Sequence, residues 1–581
     1  MGLTNKNRLS LTGKRWHEPK ITLQHDKTNI NSLPTWVETL LTQRGIIGET
    51  AIQQYLFPTL ASLADPAHLA DIDSTLTIII KALHNNWPIT VYGDYDVDGV
   101  CSTTLLIDFF RKVGANIDYY IPARRLEGYG LNESAIRDIC LKTKLLITTD
   151  CGITAHHEIN IARELGCEVI VVDHHRVAET LPKASACINP QRDDCGFADR
   201  VLCAAGVAFM LIVALRRALR DDGYFKNHNE PDVRELLDLV ALATVADMVP
   251  IIGINRILVT AGLKQIASTQ RVGLNALINI TDISKNKITA SDIGYKLGPR
   301  LNARGRLHHA GEAVELLLTN DTKRAQQIAA SLDSANHERR ILEKATLQEA
   351  LDIISHDSLD SLAALCVYNP NWHAGVLGLV ASRLTSIYHR PAVVIGEDGK
   401  GSARSVNGVD LYASLTKTSE HLIRFGGHAA AAGITIDPST INDFRTSFAN
   451  VVQQTIGHPP YVKSIKPDIQ TPLSAISLQL LSVVEKLEPF GQQNPQPLFK
   501  CAAVPIHSLR VLKNEHLKFM VGNPNNGCQE AIAFGMANII NELPDLVDIV
   551  FYLERDSFGG RKKPLMRVKD IRPIDIITLI S

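Results

Sequence analysis

The stretch ITVYGDYDVDG, Ile89–Gly99, decides how this chain is read: a short run of apolar, β-rich residues ends abruptly in three aspartates at alternate positions, closed by a glycine. An apolar run without polar alternation reads as a strand buried on both faces of a parallel sheet. Two further runs repeat the form: LLITT before Asp150-Cys151-Gly152, and EVIVV before Asp173-His174-His175. Between them lie the run IDYYIP and helical patterns from Val100 to Val113, after Asn132, and from Ile153 to Leu165. This rhythm predicts a parallel α/β sheet, whose ligands gather outside the carboxyl ends of the strands. Three acidic strand ends then converge on one edge.

Outward from this core, helices are expected from about Ala204 to Leu219 and Asp232 to Ala246, the second stopping at Asp247 before Met-Val-Pro. A periodic stretch from about Asp321 to Ser355 reads as one long connecting helix between two lobes. A second α/β pattern starts at LAALCVY and continues through a helix near Gly375–Tyr388 and the strand AVVIG to GGHAAAAG, Gly426–Gly433. The Pro- and Lys-bearing stretch from about His458 to Thr471 reads as a linker. Beyond Pro497, short strand-like runs separated by turns suggest a small β-barrel. The expected architecture is therefore α/β: two α/β lobes joined by a long helix, plus a C-terminal barrel. Its expected divisions are 1–60, 61–255, 256–357, 358–457, 458–497 and 498–581.

At 581 residues the chain exceeds what one core usually supports, ~250–300 residues. Apolar residues at 45% and charged residues at 21% exclude a collagen, a disulfide miniprotein and a wholly disordered chain. Sixty Lys and Arg face 61 Asp and Glu, so binding to a polyanion has to come from local segregation of charge. Two ends are locally basic. Lys6, Arg8, Lys14, Arg15 and Lys20 stand against Glu18 alone, and Arg555 to Arg572 is rich in Lys and Arg. Ten cysteines without a C-x-x-C pair read as dispersed thiols of a cytosolic protein. The start lacks an apolar signal region and no run approaches the ~18–20 residues of a membrane span, so the expectation is cytoplasmic, without a membrane.

Asp94, Asp96 and Asp98 repel one another on one loop, and a divalent cation would relieve them. The overlap with a calcium loop is broken at Leu105, which stands where the closing glutamate would be. Asp150 alone could be a helix cap. Asp173, His174 and His175 join oxygen and nitrogen donors in a mixture that suits Mn²⁺ better than Ca²⁺. Asp247, in ATVADMVP, is an acid in an apolar helix end and needs a metal or a cap to neutralise it. Five or six aspartates and at least one histidine at one edge can hold two divalent ions, and two metals ~3.5–4 Å apart suit in-line displacement at phosphorus. Phosphoester hydrolysis follows. No Walker A loop points to coupled nucleotide hydrolysis.

In order and spacing, GDYDVDG, TTDCG, VVDHH and ATVADMVP resemble the four motifs of the DHH phosphoesterase superfamily. GPRLNARGR (Gly298–Arg306), GSARS (Gly401–Ser405), GGHAAAAG and EPFGQQNPQPLF (Glu488–Phe499) are similar to those of its RecJ branch of single-strand-specific 5′→3′ DNA exonucleases, built of DHH and DHHA1 domains. The resemblance implies that Asp96, Asp98, Asp150, His174 and Asp247 bind two cations, Mn²⁺ or Mg²⁺, with Asp150 bridging. Asp94 and Asp173 would be ligands or outer groups, and His175 would orient the scissile phosphate. It implies a pocket for the strand's 5′ end at Arg124, Ser402 and Arg404, a phosphate contact at Arg304, and substrate contacts at Gly426, Gly427 and His428. Taken singly, an arginine such as Arg124 reads equally as a surface residue, and GGHAAAAG as a tight turn into a buried small-residue helix.

The barrel resembles the family's OB-fold. Phe490, Phe499 and Phe519 with Arg510, Lys513 and Lys518 offer stacking and charge for a single strand, against the plain reading of these phenylalanines as core. The implied partners are single-stranded DNA with a free 5′ end, a single-strand-binding protein and a RecQ-type helicase, with the enzyme acting as a monomer in recombination and repair. Two other readings are a DHH hydrolase of small substrates, an oligoribonuclease or cyclic dinucleotide phosphodiesterase, and a non-catalytic DNA-binding relative. The extra barrel counts against the first and the full set of acids against the second.

Overall fold

The apolar runs ahead of the acidic motifs form the central sheet. The structure, a computed structural model, describes residues 9–23, 33–123, 127–128, 130–307, 310–355, 362–458, 461–525, 527–556 and 563–574. Strands β1 (Ile89–Gly93), β2 (Ile117–Tyr120), β3 (Leu145–Thr149), β4 (Glu168–Val172) and β5 (Ala186–Ile188) are parallel, in the order β2-β1-β3-β4-β5. β1 and β3 are buried throughout, which is why they carry no polar alternation. The strand order reverses beside β1, so the crevice at the carboxyl ends of β1 and β3 is the topological switch point where ligands bind in such sheets.

Helix α1 (Val97–Lys112) begins three residues before the expected Val100. The reason is local. Asp96 caps it, its Oδ1 accepting from the backbone N–H groups of Asp98 at 2.9 Å and Gly99 at 3.1 Å. α1 is buried on nearly every side and packs against α2 (Ala204–Asp221) and α3 (Leu237–Ala246). Helices α4 (Gly298–Leu307) and α5 (Thr322–Ser355) follow, the latter within a residue of its expected span. Two compact units result: residues 57–341 with 489–495, and residues 1–56 with 342–488 and 496–581. α5 crosses the division at 341/342.

In the other unit, β6 (Leu365–Tyr368), helix α6 (Ala374–Tyr388), β7 (Ala392–Ile395), β8 (Lys400–Arg404), β9 (Leu422–Gly427) and β10 (Ala431–Ile436) make a second α/β layer ordered β9-β10-β8-β7-β6. Only β6 and β7 pair in parallel. GGHAAAAG is therefore the β9–β10 hairpin and not the start of a helix: Gly427, at φ 145°, has Ala431 O 2.4 Å from where a Cβ would stand.

The C-terminal strands β11 (Leu498–Leu512), β12 (His516–Asn523), β13 (Gly527–Ala533), β14 (Leu546–Asp556) and β15 (Lys563–Pro573) close into a barrel through the β11–β12 pairing. The supposed linker contributes a strand, Ile469–Gln470, beside β11, and the N-terminal Ile21–Thr22 pairs beside that. Arg15–Trp16 pairs with Ser464–Ile465. Trp16 is buried, donates from Nε1 to Asp570 Oδ2 at 2.7 Å and lies under the Arg572 guanidinium, 4.7 Å from its ring centre. The short strands Arg15–Trp16 and Ile21–Thr22 are thus part of the sheets around the barrel. In the basic C-terminal stretch three arginines are paired: Arg555 with Glu485, Arg567 with Glu554 and Arg572 with Asp548. No helix among the described residues is long and apolar enough to cross a membrane.

Candidate metal centre

The three strand-end motifs and the end of α3 meet in the unit of residues 57–341. Three groups of donors arise, each with its ligand atoms within 4.8 Å of one another: Asp94, Asp96 and Asp150; Asp98, His174 and Asp247; and Asp150, His174 and His175. His174 Nε2 is central. It lies 3.2 Å from Asp150 Oδ1, 3.7 Å from Asp98 Oδ2 and 3.8 Å from Asp247 Oδ2. Its side chain is 12% exposed and that of Asp150 3%, so this charge sits largely out of water.

Backbone geometry fixes each acid. A Cβ on Gly99 would stand 2.4 Å from Asp94 O, so the GDYDVDG loop folds this tightly only with glycine there. Asp150 sits at φ 62°, a left-handed conformation that a non-glycine residue adopts at some strain, and Gly152 follows at φ 109°. Asp98 accepts from the backbone N–H groups of Ala204 at 2.6 Å and Ala205 at 2.8 Å, where the α2 N-terminus favours an anion. Asp247 caps the opposite pole of its helix, the C-terminal end of α3, where the dipole opposes a carboxylate.

Asp173 belongs to none of the three groups among the described residues. Its Oδ1 accepts from the N–H groups of His174 at 2.7 Å and His175 at 3.1 Å and lies 2.8 Å from His175 Nδ1, while Oδ2 accepts from Ile153 N–H at 3.0 Å. It stands behind the ligands, holding the backbone of both histidines and orienting the His175 imidazole. Sequence reasoning missed two helpers at the exit of β5: Asn189 donates from Nδ2 to His175 O at 2.9 Å, and Gln191 donates to His174 O. Their only sequence signal is a polar pair following a fourth strand at the same edge.

The electrostatics call for cations. Burial, followed by the charges of Asp98, Asp96, Asp94 and Asp173, pushes the Asp150 carboxyl well up. Asp247 is pushed up to about 8 by burial and then by Asp98 and Asp96. Asp98 is raised by burial, with His174 and the two backbone donors pulling the other way. Against burial, the His175 hydrogen bond holds Asp173 below its ordinary value and in return lifts His175 to about 9. Hard carboxylates with one or two imidazoles, deprotonated by the ion they bind, fit Mn²⁺ or Mg²⁺.

The remaining expected residues are spread over both units. Arg304, on α4, donates from Nη2 to Ser331 Oγ at 2.5 Å and pairs through Nε with Glu312 at 3.1 Å, so part of its guanidinium is already engaged. Ser402 and Arg404 share one face of β8 beneath α6, where Gly378 leaves room: a Cβ there would stand 2.9 Å from Arg404 Nη2 and 3.5 Å from Ser402 Oγ. Gly426, Gly427 and His428 lie exposed at the β9–β10 turn. Arg124 lies outside the described residues. In the barrel, Phe499 and Phe519 are buried core, Arg510 and Lys513 are exposed, and Lys518 pairs with Glu530, whereas Phe490, half-buried, lies outside the barrel in the unit of residues 57–341 with 489–495. Among the described barrel residues, the exposed phenylalanine is Phe534, which meets His516 edge-on at 5.0 Å.

Sequence comparisons agree with the motifs. Residues 88–244 match the DHH family, N-terminal domain, residues 360–454 the DHHA1 domain and residues 467–570 the RecJ OB domain. The single-stranded-DNA-specific exonuclease RecJ of Dickeya dadantii is 35% identical over 94% of this chain and 97% of its own length. The RecJ of Bacillus subtilis is 33% identical over 92% and 67%. The crystal structure of RecJ in complex with Mn²⁺ from Thermus thermophilus superposes with a TM-score of 0.77 at 28% identity, covering 97% of this chain and 80% of that one.

Proposed function

The chain belongs to the RecJ family of single-stranded-DNA-specific exonucleases, and from that membership we propose that it degrades single-stranded DNA from the 5′ end to 5′-mononucleotides. The observation that carries the hydrolytic reading is the sharing of Asp150 and His174 among three donor groups, an arrangement suited to two cations side by side. Asp94, Asp96 and Asp150 would hold one cation, and Asp98, His174 and Asp247 the other, with Asp150 serving both. When bound, such a pair acidifies a water and offsets charge on the phosphoryl oxygens and the leaving 3′-oxygen. Asp173 holds the His174 backbone and the His175 imidazole, and His175, fixed by it, orients the phosphate. Asp98, tied to the start of α2, keeps one ligand from swinging when charge changes at the reacting phosphorus.

Arg124, Ser402 and Arg404 are the residues we assign to the 5′ end, because a guanidinium gives bidentate, permanently charged contacts to phosphate. Arg304 and the Gly426-Gly427-His428 turn would contact the backbone further along. Phe534 and His516, with Arg510 and Lys513, replace the buried phenylalanines as the barrel's stacking and charge surface. The cellular setting that follows is cytoplasmic recombination and repair, as a monomer alongside a single-strand-binding protein and a RecQ-type helicase. The test is nucleotide release from 5′- and 3′-labelled single strands and blunt duplexes with Mn²⁺. Release confined to the 5′ end of single strands is expected, and equal rates on all three would overturn the assignment. Asp150→Ala should retain strand binding and lose cleavage.

A further inference from the structure

The metal-bearing helices α1 and α3 lie antiparallel, because Asp98 in the first turn of α1 meets Asp247 at the end of α3. Ten residues further along α1 is Asp108, and nine residues back along α3 is Asp238. At ~1.5 Å rise per residue, this second pair of acids stands roughly 14 Å from the first, at the other end of the same helix pair. Here the bridging cation is Arg271. Its Nη2 lies 3.0 Å from Asp108 Oδ2, its Nε 3.3 Å from Asp238 Oδ2, and its Nη1 donates to Leu317 O at 2.9 Å. The side chains are 12% exposed for Arg271, 1% for Asp238 and 18% for Asp108. Lys112 stands 3.5 Å from the other Asp108 oxygen and is shared with Glu235, while Thr269 donates to Asp238 at 2.8 Å.

We propose that Arg271 is a positioning residue: by bridging Asp108 and Asp238 it sets the spacing of α1 and α3, and so the distance between Asp98 and Asp247 at which a divalent cation fits. The helix pair carries two like-charged ends, one closed by a fixed guanidinium and the other left for a metal. A planar fork with permanent charge suits the closed end, since it bonds both carboxylates in one geometry. Without it, buried Asp238 loses its cation and keeps only the Thr269 hydroxyl, half-buried Asp108 keeps Lys112 alone, and the cheapest response for two carboxylates no longer bridged is for the helix ends to part. The helices are stiff rods, so parting at one end is transmitted to the other.

The inference rests on the metal reading of the centre, and its test separates the two. Mn²⁺ binding, followed from the spectrum of the free ion, and Mn²⁺-dependent nucleotide release are measured on the full chain, on Arg271→Met, and on Arg271→Met/Asp108→Asn/Asp238→Asn. Arg271→Met is expected to weaken Mn²⁺ binding by about tenfold or more, the scale seen for groups behind metal ligands, with release at saturating Mn²⁺ close to the parent rate. The triple variant, which removes the stranded charges, should return Mn²⁺ affinity toward the parent value. A folded Arg271→Met that binds Mn²⁺ like the parent while melting earlier would reduce Arg271 to a structural group. If Arg271→Met does not fold, the triple variant decides: parent-like affinity supports the proposal and weakened affinity overturns it. A parent chain indifferent to Mn²⁺ would instead defeat the metal reading itself.

Discussion

Replacing Gly99 by alanine tests how tightly the first acidic loop must close. The added Cβ would stand 2.4 Å from Asp94 O, 2.6 Å from its carbonyl carbon and 2.7 Å from its Cα, all backbone atoms that cannot rotate away. Ordinary contact begins near 3.4 Å, so the loop carrying Asp94 has to retreat by about 1 Å. Overpacking of this kind costs ~1–3 kcal/mol of stability. Asp94, Asp96 and Asp98 would move with the loop, and a misplacement of about 1 Å at reacting groups lowers rate by ~10²-fold. That fall corresponds to about 2.7 kcal/mol of barrier. The assay is nucleotide release from a 5′-phosphorylated single strand at saturating Mn²⁺, paired with a thermal melt. A Gly99→Ala enzyme with parental rate and melting temperature would refute the claim that this loop is closed by backbone contact.

Three further outcomes are expected. Asp173→Asn, which leaves the ligand groups in place but weakens the grip on both histidines, should raise the Mn²⁺ concentration for half-maximal activity by ~10–100-fold; a metal titration showing no displacement would remove Asp173 from its orienting role. Trp16→Ala should destabilise the barrel unit by ~3–5 kcal/mol, seen as a lower melting transition, because Trp16 is buried against Asp570 and Arg572; an unchanged melt would mean the N-terminal strands are dispensable. The third concerns pH. The Asp247 carboxyl is raised from 3.8 to about 8 by burial and neighbouring acids, and Asp150 and Asp98 are raised with it. Carboxyls with raised folded-state values contribute stability at low pH that is lost as pH climbs toward those values. Metal-free protein should therefore weaken between about pH 4 and 8, and the rise in melting temperature on adding Mn²⁺ should grow across that window. A rise that shrinks with increasing pH would contradict the sign.

The catalytic sheet was legible because its strands are buried on both faces and so stand out as unbroken apolar runs ending in acids. Asp247 was visible for a similar reason, as one charge in an apolar helix end. What stayed hidden depends on contacts distant in sequence. Nothing near Asp98 announces that the Ala204 and Ala205 N–H groups will hold it, and nothing near His174 points to Gln191. The barrel additions at Arg15–Trp16 and Ile21–Thr22 are two residues each, too short for any periodicity to register. Phe499, Phe519 and Phe534 look alike in sequence, and only the closed barrel separates the two inside from the one outside. GGHAAAAG misleads because small residues favour either a helix or a hairpin, and the positive φ at Gly427, which selects the hairpin, is a property of the folded sheet.

The most direct test of the account is anomalous scattering from manganese-soaked crystals of the full chain. Two peaks are expected, one against Asp94, Asp96 and Asp150 and the other against Asp98, His174 and Asp247, ~3.5–4 Å apart. Empty density between these strand ends, or a lone ion away from Asp150, would contradict the two-cation centre on which the hydrolytic reading stands.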